Sequence, residues 1–217
     1  MREQFELELQ LLEQQFLGLG QAVIESASKA LLALAAKDKE MAEKIIEDDK
    51  LINQAQIDVE MSCARILALQ QPQVTDLRFV ITIMSACSDL ERMGDHMAGI
   101  SKSIIRLKEV DTLDTIEEQI HDAGQKALKM LSDLLAAFPK RKIEKAIEIA
   151  KQDEAIDELY YKTSKEIMTE MKGQETSIRN GAEYLYMMGH IERFADYISN
   201  ICERLVYLET GEIVELN

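Results

Sequence analysis

Two short segments of the sequence carry the same pattern of charged residues, one in each half of the chain. Glu91 and Asp95 lie four residues apart in the first segment, and Glu192 and Asp196 do so in the second, at one offset of 101 residues (192 − 91). Two like charges at this spacing destabilise a helix by about 0.2–0.5 kcal/mol unless something compensates. A divalent cation would compensate, because hard cations bind carboxylate oxygens. The four side chains are therefore candidate metal ligands.

A second set of polar side chains with the same spacing precedes each segment. Asp49 and Asn53 form the pair in the first half, and Asp153 and Asp157 form it in the second. If the helices that carry the two sets lie side by side, the pairs within each half can converge on one multidentate site. The eight candidate metal ligands are Asp49, Asn53, Glu91, Asp95, Asp153, Asp157, Glu192 and Asp196.

Acidic pairs at this spacing are common in so acidic a chain. With 40 Asp and Glu residues in 217 positions, chance alone yields on the order of seven such pairs, and most of them form solvated helix faces. The repetition of Glu-Arg-x-x-Asp at corresponding places in both halves raises the pattern above chance. Purely structural acidic surfaces without metal remain an alternative interpretation.

The elements that must position these side chains are helices. The chain has two prolines, nine glycines and no tryptophan, and it is rich in good helix formers. Apolar residues recur every three or four positions, which predicts amphipathic helices. We expect six of them. The first three cover residues 5–36, 41 to just before Pro72, and 75–107 with Thr75 or Asp76 as the cap. After a boundary between the halves at 109–115, the fourth ends at Phe138 before Pro139, and the last two cover 143–173 and 175–208.

The repeat predicts a duplicated three-helix unit. The fold class is therefore all-α, with two tandem antiparallel three-helix bundles at residues 1–110 and 111–217, because short connections make neighbouring helices antiparallel. On a helical wheel, Glu91 and Asp95 lie about 170° from the apolar stripe of their helix, and Glu192 and Asp196 do the same. We expect both pairs to project outward.

Charge and cysteine content limit the partners. The net charge of −15 repels nucleic acid and anionic lipid headgroups and favours metal cations or basic protein surfaces. Three cysteines without a CxxC motif predict reduced thiols rather than a disulfide framework. The N-terminus does not resemble a signal peptide, and no apolar run approaches the roughly 18 residues that a spanning helix needs. We expect a cytoplasmic protein that is not inserted in a membrane.

Several motifs of this sequence resemble those of the PhoU family. They are the doubled Glu-Arg-x-x-Asp, the Asp-x-x-Ile-Asn and Asp-x-x-Ile-Asp before it, Arg78 and Arg179, and the ending Cys-Glu-Arg-Leu-Val-Tyr-Leu-Glu-Thr-Gly-Glu at 202–212. The resemblance covers essentially the whole chain. It implies two tandem three-helix bundles and a cytoplasmic regulator that couples a phosphate ABC transporter to a sensor histidine kinase and restrains the phosphate-starvation response and phosphate uptake. Some members bind metal clusters through the same acidic pairs. Asn53 departs from the family's usual aspartate, and a neutral amide is the weaker ligand.

The resemblance implies iron, zinc, manganese or magnesium as the cofactor. Membrane association would run through the transporter or the kinase. A homodimer is expected from the wide apolar stripes. No nucleophile beside a base and no phosphate-binding glycine loop occurs, so we predict a non-enzyme. The alternative is a metal-dependent helical-bundle enzyme, which would need inward-facing ligands. His96 and His190 could each add a nitrogen ligand, whereas the lone Glu118-x-x-His121 is best explained by chance.

Overall fold

The computed structural model describes residues 2–108, 112–173 and 177–216, and every regular element within them is helical. The predicted half boundary at residue 110 and the predicted helix start at residue 175 lie outside the described residues. The helices are α1 (Arg2–Ala36), α2 (Lys39–Gln70), α3 (Val74–Arg106), α4 (Asp114–Ala137), α5 (Ile143–Ala150), α6 (Asp153–Gly173) and α7 (Ser177–Thr210), with a short 3-10 helix at Phe138–Lys140.

The connection after the first helix of each half is built in the same way. Lys37 after α1 and Arg141 after α4 both have a left-handed backbone, with φ of 54° and 52°. Asp38 then caps α2 by accepting a hydrogen bond from the backbone N–H of Met41 at 2.9 Å. The equivalent N-cap of α5, Lys142, makes no side-chain cap. The turns therefore keep their backbone in both copies although their capping chemistry differs.

Two helix boundaries differ from expectation. Neither Thr75 nor Asp76 caps α3, because Gln73 is the N-cap residue and makes no side-chain cap. The predicted single helix over 143–173 is divided into α5 and α6 at Lys151 and Gln152, where the backbone N–H of Gln152 bonds to the Ile149 carbonyl at 2.9 Å. This is a tighter, 3-10-like turn. No Gly or Pro marks the break, so periodicity alone does not reveal it.

Helices α3 and α7 pack against each other in antiparallel orientation at the centre of the molecule. Arg92 lies over the ring of Tyr197, and Arg106 is paired with Glu183, so residue numbers fall along α7 as they rise along α3. This register places Gly94 opposite Ala195, and these two positions correspond to each other in the repeat. The halves are therefore related by an approximate two-fold axis near that crossing.

The remaining helices complete one continuous hydrophobic core. Helix α2 packs against α3 and α1, α6 packs against α7 and α4, and α1 contacts α4 across the two halves. Side chains from both halves, such as Phe16 and Phe138 with ring centroids 4.6 Å apart, meet in this core. Because α2 and α6 flank the central pair, the grooves α2/α3 and α6/α7 occupy equivalent places.

Residues Glu3–Ala36 of α1 are long and apolar enough, by length and composition only, to cross a membrane. This differs from the expectation that no run is long enough. A single such helix is weak evidence for a span, because buried core helices pass the same test. In this chain Leu12, Phe16 and Leu19 on α1 are fully buried in the core.

Candidate metal centres

Three carboxylates meet in the groove between α6 and α7. Asp153 and Asp157 on α6 and Asp196 on α7 each offer an oxygen, and these three oxygens lie within 4.8 Å of one another. Asp153 is only 2% exposed, Asp196 is half-buried and Asp157 is exposed. Three convergent carboxylate oxygens, open to solvent on one side, are the donor set that hard divalent cations bind. The predicted convergence of the second-half pairs is thus present for three of the four side chains.

Local structure explains how an aspartate is held at 2% exposure. Asp153 is the first residue of α6, so the break after α5 sets the direction in which its side chain enters the groove. The hydroxyl of Ser199 on α7 donates to Asp153 Oδ2 at 3.2 Å. Sequence reasoning did not find Ser199. The counterpart of Ser199 in the first half is Ala98. The one sequence signal for Ser199 was thus a serine in the second half where the first half has an alanine.

Burial and mutual repulsion both act on the carboxylates of this groove. Burial, followed by the charges of Glu192 and Asp157, raises the pKa of Asp196 from its usual 3.8 to about 6, and Arg193 offsets only part of this effect. Burial and then Asp157 and Asp153 raise the pKa of Glu192 as well. The fourth predicted ligand therefore interacts with the cluster although it is not one of the three convergent side chains. A bound cation would relieve this repulsion.

The corresponding groove between α2 and α3 is arranged differently. The amide of Asn53 donates to Asp49 Oδ2 at 3.4 Å, which partly neutralises the pair. Burial and then the charge of Asp95 raise the pKa of Asp49, while the Asn53 bond lowers it. Burial, Asp95 and Asp49 likewise raise the pKa of Glu91. Within the described residues, the three first-half carboxylates Asp49, Glu91 and Asp95 do not meet as closely as those of the second half.

Two oxygens in the first-half groove are buried without a hydrogen-bond partner. They are Asp49 Oδ1 and Asn53 Oδ1. A buried unpaired acceptor costs about 1–3 kcal/mol, and a cation bound to either oxygen would remove that cost. The residues present therefore fit a cation here too, with one amide oxygen in place of a carboxylate.

The expectation that the repeated pairs project outward needs correction. Asp95 is exposed, but Glu91, Glu192 and Asp196 are only half-exposed, and Asp153 on the neighbouring helix is buried. The helical wheel measures direction relative to a helix's own apolar stripe. It takes no account of the flanking helix, which covers the side of α3 or α7 that carries the acids.

A histidine pair lies across the interface of the two halves. Nδ1 of His96 on α3 and Nδ1 of His190 on α7 are 2.9 Å apart, and His96 also stacks on Tyr197 with ring centroids 5.6 Å apart. Burial, followed by the neighbouring His190 and Arg193, lowers the pKa of His96 to about 4. The structure pairs the two rings with each other, whereas the sequence analysis considered either histidine as an added nitrogen ligand of an acidic site.

Comparison with known proteins places this arrangement in a family. The family model described as the PhoU domain matches the chain twice, over residues 16–104 and 120–205. The chain belongs to the PhoU family. The PhoU resemblance of the motifs is therefore confirmed, and the two matched segments correspond to the two copies of Glu-Arg-x-x-Asp.

Relatives of known name and structure agree with this assignment. A phosphate-specific transport system accessory protein PhoU homolog from Streptococcus pneumoniae is 68% identical over 217 residues, which is 100% of both chains. The Escherichia coli K12 accessory protein PhoU is 30% identical over 209 residues, covering 96% of this chain and 86% of its own. Both relatives are named for a role in phosphate transport, and neither name describes a catalytic activity.

Two crystal structures share the fold. The phosphate transport system regulatory protein PhoU from Streptococcus pneumoniae superimposes with a TM-score of 0.92 at 66% identity, covering 97% of this chain and 99% of that one. PhoU from Pseudomonas aeruginosa gives a TM-score of 0.91 at 29% identity, covering 96% and 100%. The all-α fold class predicted from the sequence is confirmed.

Proposed function

We propose that this PhoU-family chain is a non-enzymatic, cytoplasmic regulator of phosphate transport. It would act by coupling a phosphate ABC transporter to a sensor histidine kinase, and it would restrain phosphate uptake and the phosphate-starvation response. The observation that carries this proposal is full-length similarity to proteins named as accessory or regulatory components of phosphate transport.

Metal binding is the second part of the proposal. Asp153, Asp157 and Asp196 would hold a cation such as manganese, magnesium, iron or zinc, with Glu192 at the edge of the site. The support is the convergence of three oxygens within 4.8 Å around a buried carboxylate. In the first half, Asp49, Asn53, Glu91 and Asp95 would form a related site with fewer charges. All of these donors are oxygens, which favours hard cations.

The alternative of a metal-dependent enzyme receives less support from the geometry. An enzyme of this kind needs a pocket beside its metal for a substrate. A cavity of about 870 Å³ among the described residues lies between the start of α4 and the middle of α6, and its lining includes none of the eight candidate ligands. The acidic groove instead lies along a helix pair and is open to solvent through Asp157.

The regulatory role is tested in a strain that lacks this chain. We expect raised phosphate uptake and raised alkaline phosphatase in phosphate-rich medium, with both restored by the wild-type chain. Normal levels of both in the deletion strain would contradict the regulatory proposal. Membrane association is expected only through partners, so the purified chain should not float with anionic vesicles at physiological salt, given its net charge of −15.

The metal claim is tested separately on purified protein. Elemental analysis and Mn²⁺ titration of the wild type are compared with a variant that carries Asp153→Asn, Asp157→Asn and Asp196→Asn. We expect the variant to lose the second-half ion. Equal metal content would overturn the second-half metal site and leave the regulatory proposal intact. Complementation with the same variant then shows whether regulation needs the metal.

A further inference from the structure

The C-terminal tail, residues 211–216, folds back along α7. Gly211 ends the helix with a φ of 78°, a left-handed conformation that favours glycine. The backbone N–H of Leu216 donates to Glu203 Oε1 at 2.9 Å, about two turns before the end of α7. The Leu216 side chain also packs against the core. The tail is therefore held in place at both of its ends.

A small cavity lies between this tail, α7 and α3. It has a volume of about 260 Å³, and its lining includes Ile81 of α3, Tyr207 of α7, and Ile213 and Val214 of the tail. The rest of its lining is polar and lies on α7. Small-molecule sites usually measure about 300–1,000 Å³. A cavity below that range suits a single large side chain of another protein better than a free ligand.

An exposed apolar stripe on α3 leads to this cavity. Val74 is 73% exposed, Leu77 is 38% exposed and Ile81 is 40% exposed, and Ile213 on the tail is 90% exposed. The spacings of three and four residues place the three α3 side chains on one face, over about two helical turns. A second helix packs along rows with these spacings. Exposed apolar surface of this kind beside a preformed cavity is typical of an interaction site.

Negative charge lies at the edge of the stripe and the cavity. Glu212 and Glu215 are exposed on the tail, and Glu203 lines the cavity. The basic residue of the cavity lining, Arg204, is already hydrogen-bonded at 2.9 Å to a buried aspartate of α3. Arg78 is half-buried against the start of the tail. Because the whole chain also carries a net charge of −15, a complementary partner has basic side chains beside its apolar ones.

We propose that the α3 stripe and the cavity beside the tail form a docking site for an amphipathic helix of a partner protein, with lysines and arginines flanking its apolar face. Apolar side chains from successive turns of that helix lie along the stripe, and one of them enters the cavity. The flanking basic side chains face the tail glutamates. This inference depends on the surface alone, so it does not require the proposed role in phosphate transport.

The second half provides a matched control for the stripe. At the offset of 101, Ile178 corresponds to Leu77, and Ala182 corresponds to Ile81. Ile178 is 46% exposed, so it is as accessible as Leu77. The stripe is not repeated there, because an alanine stands where the first half has Ile81. A substitution at Ile178 therefore changes an equally exposed apolar residue outside the docking site.

Three fluorescent helical peptides of about four turns serve as probes. The first has leucines on one face and lysines on the flanks, the second has glutamates in place of the lysines, and the third has the composition of the first in scrambled order. Fluorescence anisotropy measures their binding to the full chain. We expect the first peptide to bind about tenfold more tightly than the other two. Equal binding of the first and scrambled peptides, or no binding of the first at about 1 mM protein, overturns the proposal.

Substitutions in the stripe locate the binding. Leu77→Lys should raise the dissociation constant of the first peptide about tenfold, whereas Ile178→Lys, which adds the same charge, should leave it unchanged. Equal losses in the two variants overturn the proposal. If Leu77→Lys alters the sedimentation coefficient of the chain alone, the surface joins copies of this chain, and the proposal is wrong. Circular dichroism confirms that each variant is folded.

Neutralisation of the tail tests the charge complementarity. Glu212→Gln combined with Glu215→Gln should raise the dissociation constant of the first peptide about threefold at low salt. The control combines Glu40→Gln with Glu43→Gln, which are exposed at the start of α2, beside the opposite end of α3. This control should change the dissociation constant little. Equal effects of the two pairs overturn the assignment of the tail glutamates to the docking site.

Discussion

Replacement of Asp196 by asparagine should have opposite effects on stability in the absence and presence of metal. Without metal, Asp196 lies beside other carboxylates and its pKa is raised to about 6, first by burial and then by Glu192 and Asp157. Asparagine has nearly the same shape, and it removes one negative charge from this cluster. The variant should therefore be more stable than the wild type in chelator at neutral pH.

The size of this effect follows from the shift in the pKa. A rise from 3.8 to about 6 corresponds at most to about 3 kcal/mol. Because Asp196 is half-buried and water screens the cluster, we expect about 1 kcal/mol. The folded state binds the proton more tightly than the unfolded state, so the wild type loses this stability as the pH rises from about 4 to about 6. The variant should lose less over that range.

Metal should reverse the order. A ligand at about a hundred times its dissociation constant stabilises the folded state by about 2.7 kcal/mol. Wild type in excess Mn²⁺ should gain this stability, whereas Asp196→Asn should gain clearly less because one of three convergent ligands is weakened. For a chain of this size, each kcal/mol moves the melting temperature by about 2–4 °C.

The assay is urea denaturation and thermal melting in EDTA and in Mn²⁺ at neutral pH, with Glu158→Gln as control. Glu158 is an exposed acid on α6 next to Asp157, so its neutralisation should change little in either condition. A variant that is less stable than wild type in EDTA would refute the repulsion argument. Equal gains with Mn²⁺ in wild type and variant would refute the assignment of Asp196 as a ligand.

Three further variants follow from the same structure. Asn53→Asp should lower the metal-free unfolding free energy by about 1 kcal/mol, because the amide bond to Asp49 is lost, and it should increase first-half Mn²⁺ binding; unchanged titration contradicts this. Burial lowers the pKa of His96 to about 4 and the pKa of His190 below its usual value. The stability of the folded protein should therefore fall as the pH drops below about 6.5. Denaturation experiments at several pH values should show a weaker pH dependence for His96→Gln than for the wild type. Asp89→Asn should lower the free energy of unfolding by about 1–3 kcal/mol in urea denaturation, because buried Asp89 accepts a 2.9 Å hydrogen bond from Arg204 Nε. A variant as stable as the wild type would mean that water replaces Asp89 as the partner of Arg204.

The helical architecture was predictable because its signal repeats along the chain. Apolar residues such as Leu12, Phe16 and Leu19 on α1 are those that periodicity selects, and they are fully buried. Helix α2 ends at Gln70, before Pro72 as expected. The break between α5 and α6 was not predictable, because Lys151 and Gln152 are compatible with a continuous helix.

The sequence predicted which residues belong to the candidate site, and it did not predict how deeply they are buried. Asp153 and Asp157 are four residues apart, which places them on the same face of a helix and identified them as a pair. The 2% exposure of Asp153 depends on where α6 begins and on how it packs against α7, which is tertiary information. The contact between His96 and His190 likewise depends on the antiparallel register of α3 and α7, and each histidine corresponds to a different residue type in the other half.

That register also explains why the two halves can differ in chemistry. With Gly94 opposite Ala195, the approximate two-fold axis carries the groove of α2 and α3 onto that of α6 and α7, so the two grooves differ through their side chains and through the break between α5 and α6. The first groove has Asn53 where the second has Asp157. A cation that needs three carboxylates therefore favours the second half.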